Sequence, residues 1–239
     1  MSYKTIIISD LHLGSKASRA EDIYKFLDEN KTYNLILNGD IVDGWALKRG
    51  SKWRPKDNKV LRKILKIAEK GTNVVWIRGN HDEFLVDYLN LTMGNINICE
   101  DLVYKGIDKR KYYIFHGDVL DVFSSKFKII AKIGSVGYDF ALWLNRWYNK
   151  YREWRGLPYY SLSKQIKNNV KAAVNFMTDF EDRAIDLAKN KDCEVAVCGH
   201  IHKAELSELY MNSGDWCESC TALVETMDGK WEVIEFHGE

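Results

Sequence analysis

Five of the six histidines in this chain fall in four short polar clusters: Asp10-Leu11-His12, Gly79-Asn80-His81-Asp82, His116-Gly117-Asp118 and Gly199-His200-Ile201-His202; only His237 stands apart. A carboxylate and an imidazole two residues apart on an extended loop can point the same way and grip one ion, and so can two imidazoles. Any single cluster of this kind also reads as a solvated turn. Four of them, together with Gly39-Asp40, each follow directly on an apolar run, and jointly they read as a metal centre. The donors are oxygen and nitrogen without thiolate, a set suited to Mn²⁺, Fe²⁺ or Zn²⁺ rather than Ca²⁺. Two such ions about 3.5–4 Å apart acidify a water and clamp phosphoryl oxygens for in-line attack on phosphorus, so no protein nucleophile is needed.

The runs that must hold these clusters are short and rich in β-branched residues. Thr5 to Ser9 precedes Asp10, Leu35 to Leu37 precedes Asn38, Val74 to Ile77 precedes Arg78, Tyr112 to Phe115 precedes His116, and Glu194 to Val197 precedes Gly199. Each has the form of a buried strand running into a loop. Helical spacing lies between several of them, at Ala20 to Asn30 and at Lys59 to Lys70, the latter closed by Gly71. Strands alternating with helices predict an α/β core with its site at strand ends. Strand-like runs return at Thr221 to Glu225 and Trp231 to Phe236, around a Met227-Asp228-Gly229-Lys230 hairpin turn.

From about Asp121 to Asn175 the rhythm breaks. Apolar and aromatic residues take helical spacing there, as at Tyr138, Leu142, Trp143 and Trp147, which predicts a helical cap inserted into a single domain spanning 1–239. The insertion holds ten lysines and arginines against three acids, a net +7, while the whole chain is +1 and the remainder therefore −6. Near-neutral total charge argues neither for nucleic acid nor for an acidic substrate. Five cysteines at irregular spacing, and an N-terminus running straight into an apolar strand, predict a reducing cytoplasm. Cys217-Glu218-Ser219-Cys220 is a CxxC without a second pair to complete a zinc site, and it reads as strand cysteines packing by their low polarity.

In order, DLHLG, GDIVDGW, GNHDEF, HGD and GHIHKA resemble the five signature blocks of calcineurin-like metallophosphoesterases. The resemblance covers most of the chain outside the insertion, and it implies a four-layer α-β-β-α sandwich. It also implies that Asp10, His12 and His202 hold one metal, that Asn80, His116 and His200 hold a second, and that Asp40 bridges them, with manganese as the expected ion. His81 is implied as the group that meets the leaving oxygen, oriented by Asp43. Arg78 and Asp82 are expected to support the site, and Asp118 its loop. Asn212 to Trp216 is expected either to close the far side of the site or simply to turn the chain after a strand.

Substrate has to be argued from what surrounds the metals. The cap, with its basic charge, three tryptophans and five tyrosines, suits a ligand with both an apolar tail and phosphates, or an anionic membrane surface; an ordinary cap whose aromatics fill its own small core is the alternative. GDxxDGW and the insertion ending in Ser161 to Lys167 are most similar to the UDP-2,3-diacylglucosamine hydrolases of lipid A synthesis. That likeness implies Trp45, Lys164 and Lys167 as substrate contacts, with peripheral attachment to the inner membrane face through the cap. Those hydrolases carry Arg at the third position of the GNHD block, where this chain has His81, so a simple phosphodiester or phosphomonoester also stays open as substrate. A nuclease would line its metal groove with positive charge, whereas here the part of the chain outside the cap is net negative and the excess of basic charge lies in the cap. The non-enzymatic alternative is an inert, metal-stabilised membrane-binding module.

Overall fold

The computed structural model describes residues 2–123, 155–156 and 177–238, the side chains of 121–123 excepted. The expected cap over 121–175 lies almost wholly outside the described residues. The chain divides into two compact units, 1–119 with 184–239 and 120–183, and the first holds every cluster of interest.

That unit is built on two sheets. The first runs, in spatial order, β12 (Trp231–Glu235), β11 (Thr221–Glu225), β1 (Ser2–Ile8), β2 (Lys31–Asn38), β3 (Asn73–Ile77), β5 (Ile96–Cys99) and β4 (Thr92–Met93). Within it β1, β2, β3 and β5 are parallel. The second runs β6 (Asp101–Lys105), β7 (Lys111–Phe115), β8 (Val195–Cys198), β10 (Tyr210–Asn212) and β9 (Glu205–Leu206), with β7, β8 and β10 parallel. Parallel strands deliver all their C-terminal ends to one edge, so each sheet offers three neighbouring loops on the same side.

Alternation along the strands sorts the core into two slabs. Ile6 and Ile8 of β1 pack with Ile23, Phe26 and Leu27 of α1 (Ala20–Glu29) and with Val60, Ile64 and Ala68 of α3 (Pro55–Glu69). Ile7, between them, faces the other way and meets Ile36, Ile114, Val197 and Leu223 between the sheets. All these side chains are buried, and at roughly 1.5–3 kcal/mol for each large aliphatic, such slabs fix strand register, because a one-residue slip would exchange the faces. On the far face of the second sheet Tyr113, Phe115, Ala196 and Cys198 are buried too, and residues 177–190 are helical, with Ala184 and Ala188 buried four apart. The order is helix, sheet, sheet, helix.

Helix α3 starts at Pro55, four residues before the apolar spacing indicates. Proline suits the first turn, and the Asp57 carboxylate accepts from the Arg54 backbone N–H at 2.9 Å and from its guanidinium, capping the helix. Strands β4, β5, β6 and β9 are not legible as strands in the sequence: β4 and β9 are two residues long, and β6 has no buried residue.

Candidate metal centre

The three loops from the first sheet are 9–12 after β1, 39–43 after β2 and 78–82 after β3; those from the second are 116–118 after β7, 199–202 after β8 and 213–216 after β10. Hydrogen bonds tie them together through the carboxylates. Asp10 Oδ2 accepts the backbone N–H of His200 at 3.0 Å, which joins the sheets. Asp40 Oδ1 accepts the N–H of His81 at 2.7 Å. Asp82, fully buried, accepts the N–H groups of Ile41 and Val42 at 2.9 and 2.7 Å and fastens the β3 loop to the β2 loop.

Backbone strain is concentrated at the same places. Asp10, His12, Asp40, His200 and His202 all have φ between 46° and 67°, a left-handed conformation that costs a non-glycine residue on the order of 1–3 kcal/mol unless its surroundings hold it. Two glycines make the crowding possible. A Cβ on Gly39 would overlap the ring of His116, and one on Gly79 would overlap the Asp40 carboxylate.

The side chains form three groups of donors. In the first, Asp10, His12 and His202 bring one atom each within 4.8 Å of one another; in the second, Asp40, His116 and His200 do the same, and in the third His12, Asp43 and His81. His202 Nε2 lies 3.1 Å from Asp10 Oδ1. One oxygen of Asp40 stands between the first two groups, 3.3 Å from His116 Nε2 and 3.9 Å from His12 Nε2. Asp10 Oδ1 and His116 Nε2 of these groups, and Asn80 Oδ1 on the 78–82 loop, are buried and make no hydrogen bond. Buried polar atoms seldom remain so, and a cation is the partner that an aspartate oxygen, an amide oxygen and an imidazole nitrogen have in common. His116 donates its Nδ1 hydrogen to the Asn38 carbonyl at 2.9 Å, which leaves the Nε2 lone pair facing inward as a metal ligand requires. The residues fit a pair of divalent ions.

Crowding of acids and imidazoles shows in their proton affinities. Burial would raise the Asp10 carboxyl, but His202, His116 and His12 outweigh it and hold it well below the usual carboxylate range. Burial would depress His116, yet Asp40 and Asp10 push it up to about 10; by the same contest Asp10 pushes His202 up to about 9. Asp82 goes the other way, up to about 7, because burial and the neighbouring Asp40 charge outweigh its two backbone donors.

A sequence model of the calcineurin-like phosphoesterases matches residues 3–204. The chain belongs to the calcineurin-like phosphoesterase family. Among its relatives, the UDP-2,3-diacylglucosamine hydrolase of Wigglesworthia glossinidia brevipalpis is 24% identical over 211 residues, which cover 86% of this chain and 82% of that protein. Solved structures similar to this phosphoesterase include a single mutant of Vps29 from Entamoeba histolytica, at 13% identity and a TM-score of 0.44 over 98% of this chain and 99% of that one. Vps29 from Chaetomium thermophilum is 11% identical, with a TM-score of 0.45 over 98% and 95% of the two chains.

Beside the first two donor groups of this phosphoesterase lies His81, whose Nδ1 donates to Asp43 Oδ1 at 2.9 Å and whose Nε2 lies 3.8 Å from Asp40. Asp43 also caps α2 (Gly44–Lys48) by accepting from Ala46 N at 2.7 Å, and stands 3.6 Å from His12; despite burial, its partners His12, His81 and Ala46 N hold its carboxyl well below its ordinary value. Trp45 lays its indole against the His81 ring, centroids 4.3 Å apart. Lys164 and Lys167 lie outside the described residues. Arg78 reaches Glu100 at 2.9 Å and Asp118 at 3.5 Å, joining the β3 and β7 loops.

The sequence reading leaves the 212–216 turn undecided. Trp216 N donates to the Asp10 carbonyl at 3.2 Å, and the Asn212 amide donates to the Gly199 carbonyl at 2.8 Å, so this turn braces both the 9–12 and 199–202 loops. Cys217 and Cys220 are not strand residues as expected. They sit in the turn before β11, where Asp215 accepts from the N–H groups of Cys217 and Glu218. A carboxylate two residues before a polar turn was the available signal, since Asp favours such caps.

Proposed function

We propose that this chain is a dinuclear metal-dependent hydrolase of a phosphodiester or pyrophosphate bond, acting on a lipid-linked or nucleotide-sugar substrate of the UDP-2,3-diacylglucosamine kind. The observation that carries the dinuclear reading is the position of Asp40 between two donor groups whose buried atoms lack partners. Asp10, His12 and His202 would hold one ion, Asn80, His116 and His200 the other, and Asp40 both, with Mn²⁺ as the ion proposed. Such ions would supply positive charge at the phosphoryl oxygens and a water acidified to near neutral pH.

The chain's own groups do the rest. Asp43 fixes the His81 tautomer with hydrogen on Nδ1, so Nε2 is the atom that holds or releases a proton toward the leaving oxygen. Trp45 limits ring rotation by packing on one face of the imidazole. The similarity to the Wigglesworthia hydrolase supports the lipid-linked substrate, and the basic, aromatic composition of the insertion, with Lys164 and Lys167, supports phosphates and acyl chains as its ligands, as it does a peripheral membrane contact from the cytoplasmic side.

Asp40→Ala should lose both turnover of bis-p-nitrophenyl phosphate and bound metal, read by elemental analysis; full activity in that variant ends the dinuclear reading. For the substrate, wild-type protein is compared on UDP-2,3-diacylglucosamine and bis-p-nitrophenyl phosphate. Turnover of the small diester alone would leave a phosphodiesterase of a different target.

A further inference from the structure

One edge of the first sheet carries an apolar groove that the metal centre does not use. Leu65 of α3, Phe84 and Tyr88 of the 3₁₀ turn Glu83–Tyr88, Leu91, and Met93 of β4 line a cavity of about 350 Å³ over Ile96. Each of the five rim side chains is 41% to 53% exposed. Together they leave on the order of 500 Å² of apolar surface in water, at the upper end of what a monomer shows and a size that is often functional. The groove ends at β4, the last strand of its sheet, whose outer edge pairs with no strand among the described residues.

The two rims differ in charge. On α3, Arg62 lies one turn before Leu65, with Lys59 and Lys66 alongside; all three are exposed, and Glu69 is the acid on that crest. On the opposite rim, Asp87 follows Phe84 by one 3₁₀ turn and Glu83 precedes it, both exposed. An anionic lipid surface would be drawn to one rim and repelled by the other. A second copy of the chain, related by a two-fold axis, sets the basic rim of each protomer on the acidic rim of the other around a shared apolar centre. Phenylalanine, tyrosine and methionine at the centre with charge at the rim is the composition of an interface, and ~500 Å² is about two thirds of the ~800 Å² per partner that a stable one takes.

We propose that this groove is a homodimer interface, with α3, the 3₁₀ turn and β4 of each protomer packed on those of the other. Sedimentation equilibrium on the full chain should give a monomer–dimer transition with a Kd on the order of micromolar. Leu65→Glu with Met93→Glu should weaken it at least ~100-fold, since both fall at the apolar centre. Unchanged thermal melting of the dilute variant by circular dichroism excludes misfolding, and both positions are exposed. Arg62→Glu and Asp87→Lys should each weaken association about tenfold, and the pair combined should recover most of it, because the rims exchange sign together. A chain that stays monomeric to about 1 mM overturns the proposal, as does a dimer indifferent to the apolar substitutions or the absence of recovery in the charge exchange. A monomer that floats with phosphatidylglycerol–phosphatidylcholine vesicles, and loses this on Arg62→Glu, overturns it in favour of a lipid surface.

Discussion

At the scale of single residues the centre depends on which atom of each ring faces inward. His116 is fixed by a carbonyl and His81 by a carboxylate, and the difference suits different tasks. A carbonyl takes the Nδ1 hydrogen of His116 and leaves Nε2 free to face a cation, whereas the Asp43 carboxylate holds the His81 ring in one orientation with Nε2 free. His81→Ala should therefore leave metal content intact and slow hydrolysis of an alkyl diester by about 10²- to 10⁴-fold. A p-nitrophenyl ester, whose leaving group needs little protonation, should slow much less. Equal losses on the two substrates would assign His81 to phosphate positioning instead. Asp43→Asn should imitate the alkyl-ester defect in milder form, because it loosens the ring without removing it.

At the scale of elements, six loops from two sheets are tied by a few carboxylates, of which Asp82 shows the cost most clearly. Asp82→Ala leaves two buried N–H groups without acceptors, at about 1–3 kcal/mol each, and removes a carboxyl that burial disfavours as an anion. The net expectation is a loss of roughly 2–4 kcal/mol in urea denaturation. A loss under about 0.5 kcal/mol would mean that other contacts hold the β2 and β3 loops together. Strands β1, β2, β3, β7 and β8 were legible because each is a short apolar run ending in a polar cluster, as in Ile6-Ile7-Ile8 before Asp10. The clusters were legible as donors because a ligand pair two residues apart is a local pattern. Invisible in the sequence were the left-handed backbone at Asp10 and His200 and the edge strand β4. The left-handed backbone depends on residues far apart in the chain, and no local periodicity records a contact such as Asp10 with His200; β4 pairs with the adjacent β5 but is too short to show a period.

For the whole molecule, the centre is a knot of charge whose stability depends on pH and on ions together. Without an ion, His202 and His116 are raised to about 9 and about 10, so their pairing with Asp10 and Asp40 is fully present below the ordinary imidazole value near 6.5. It is lost as pH climbs through 9 and 10. Bound ions replace those protons, because ligands must be deprotonated, and the loaded protein should not share the alkaline loss. The rise in Tm on adding Mn²⁺ to chelator-stripped protein should thus widen from pH 6.5 to pH 9; at saturation near 100 times Kd the stabilisation is about 2.7 kcal/mol. A gap that narrows with pH would contradict the assignment of His116 and His202 as ligands. One hydrogen bond described above carries a further meaning for how the protein comes into being. Asp10 and His200 are joined although 190 residues separate them, and β1, which leads to Asp10, is paired on one side by β11, near the other end of the chain. During synthesis Asp10, His12, Asp40, Asn80 and His116 emerge first. Two imidazoles, His200 and His202, arrive last and complete both donor groups within three residues of translation. Neither donor group is therefore whole until residue 200 has been added.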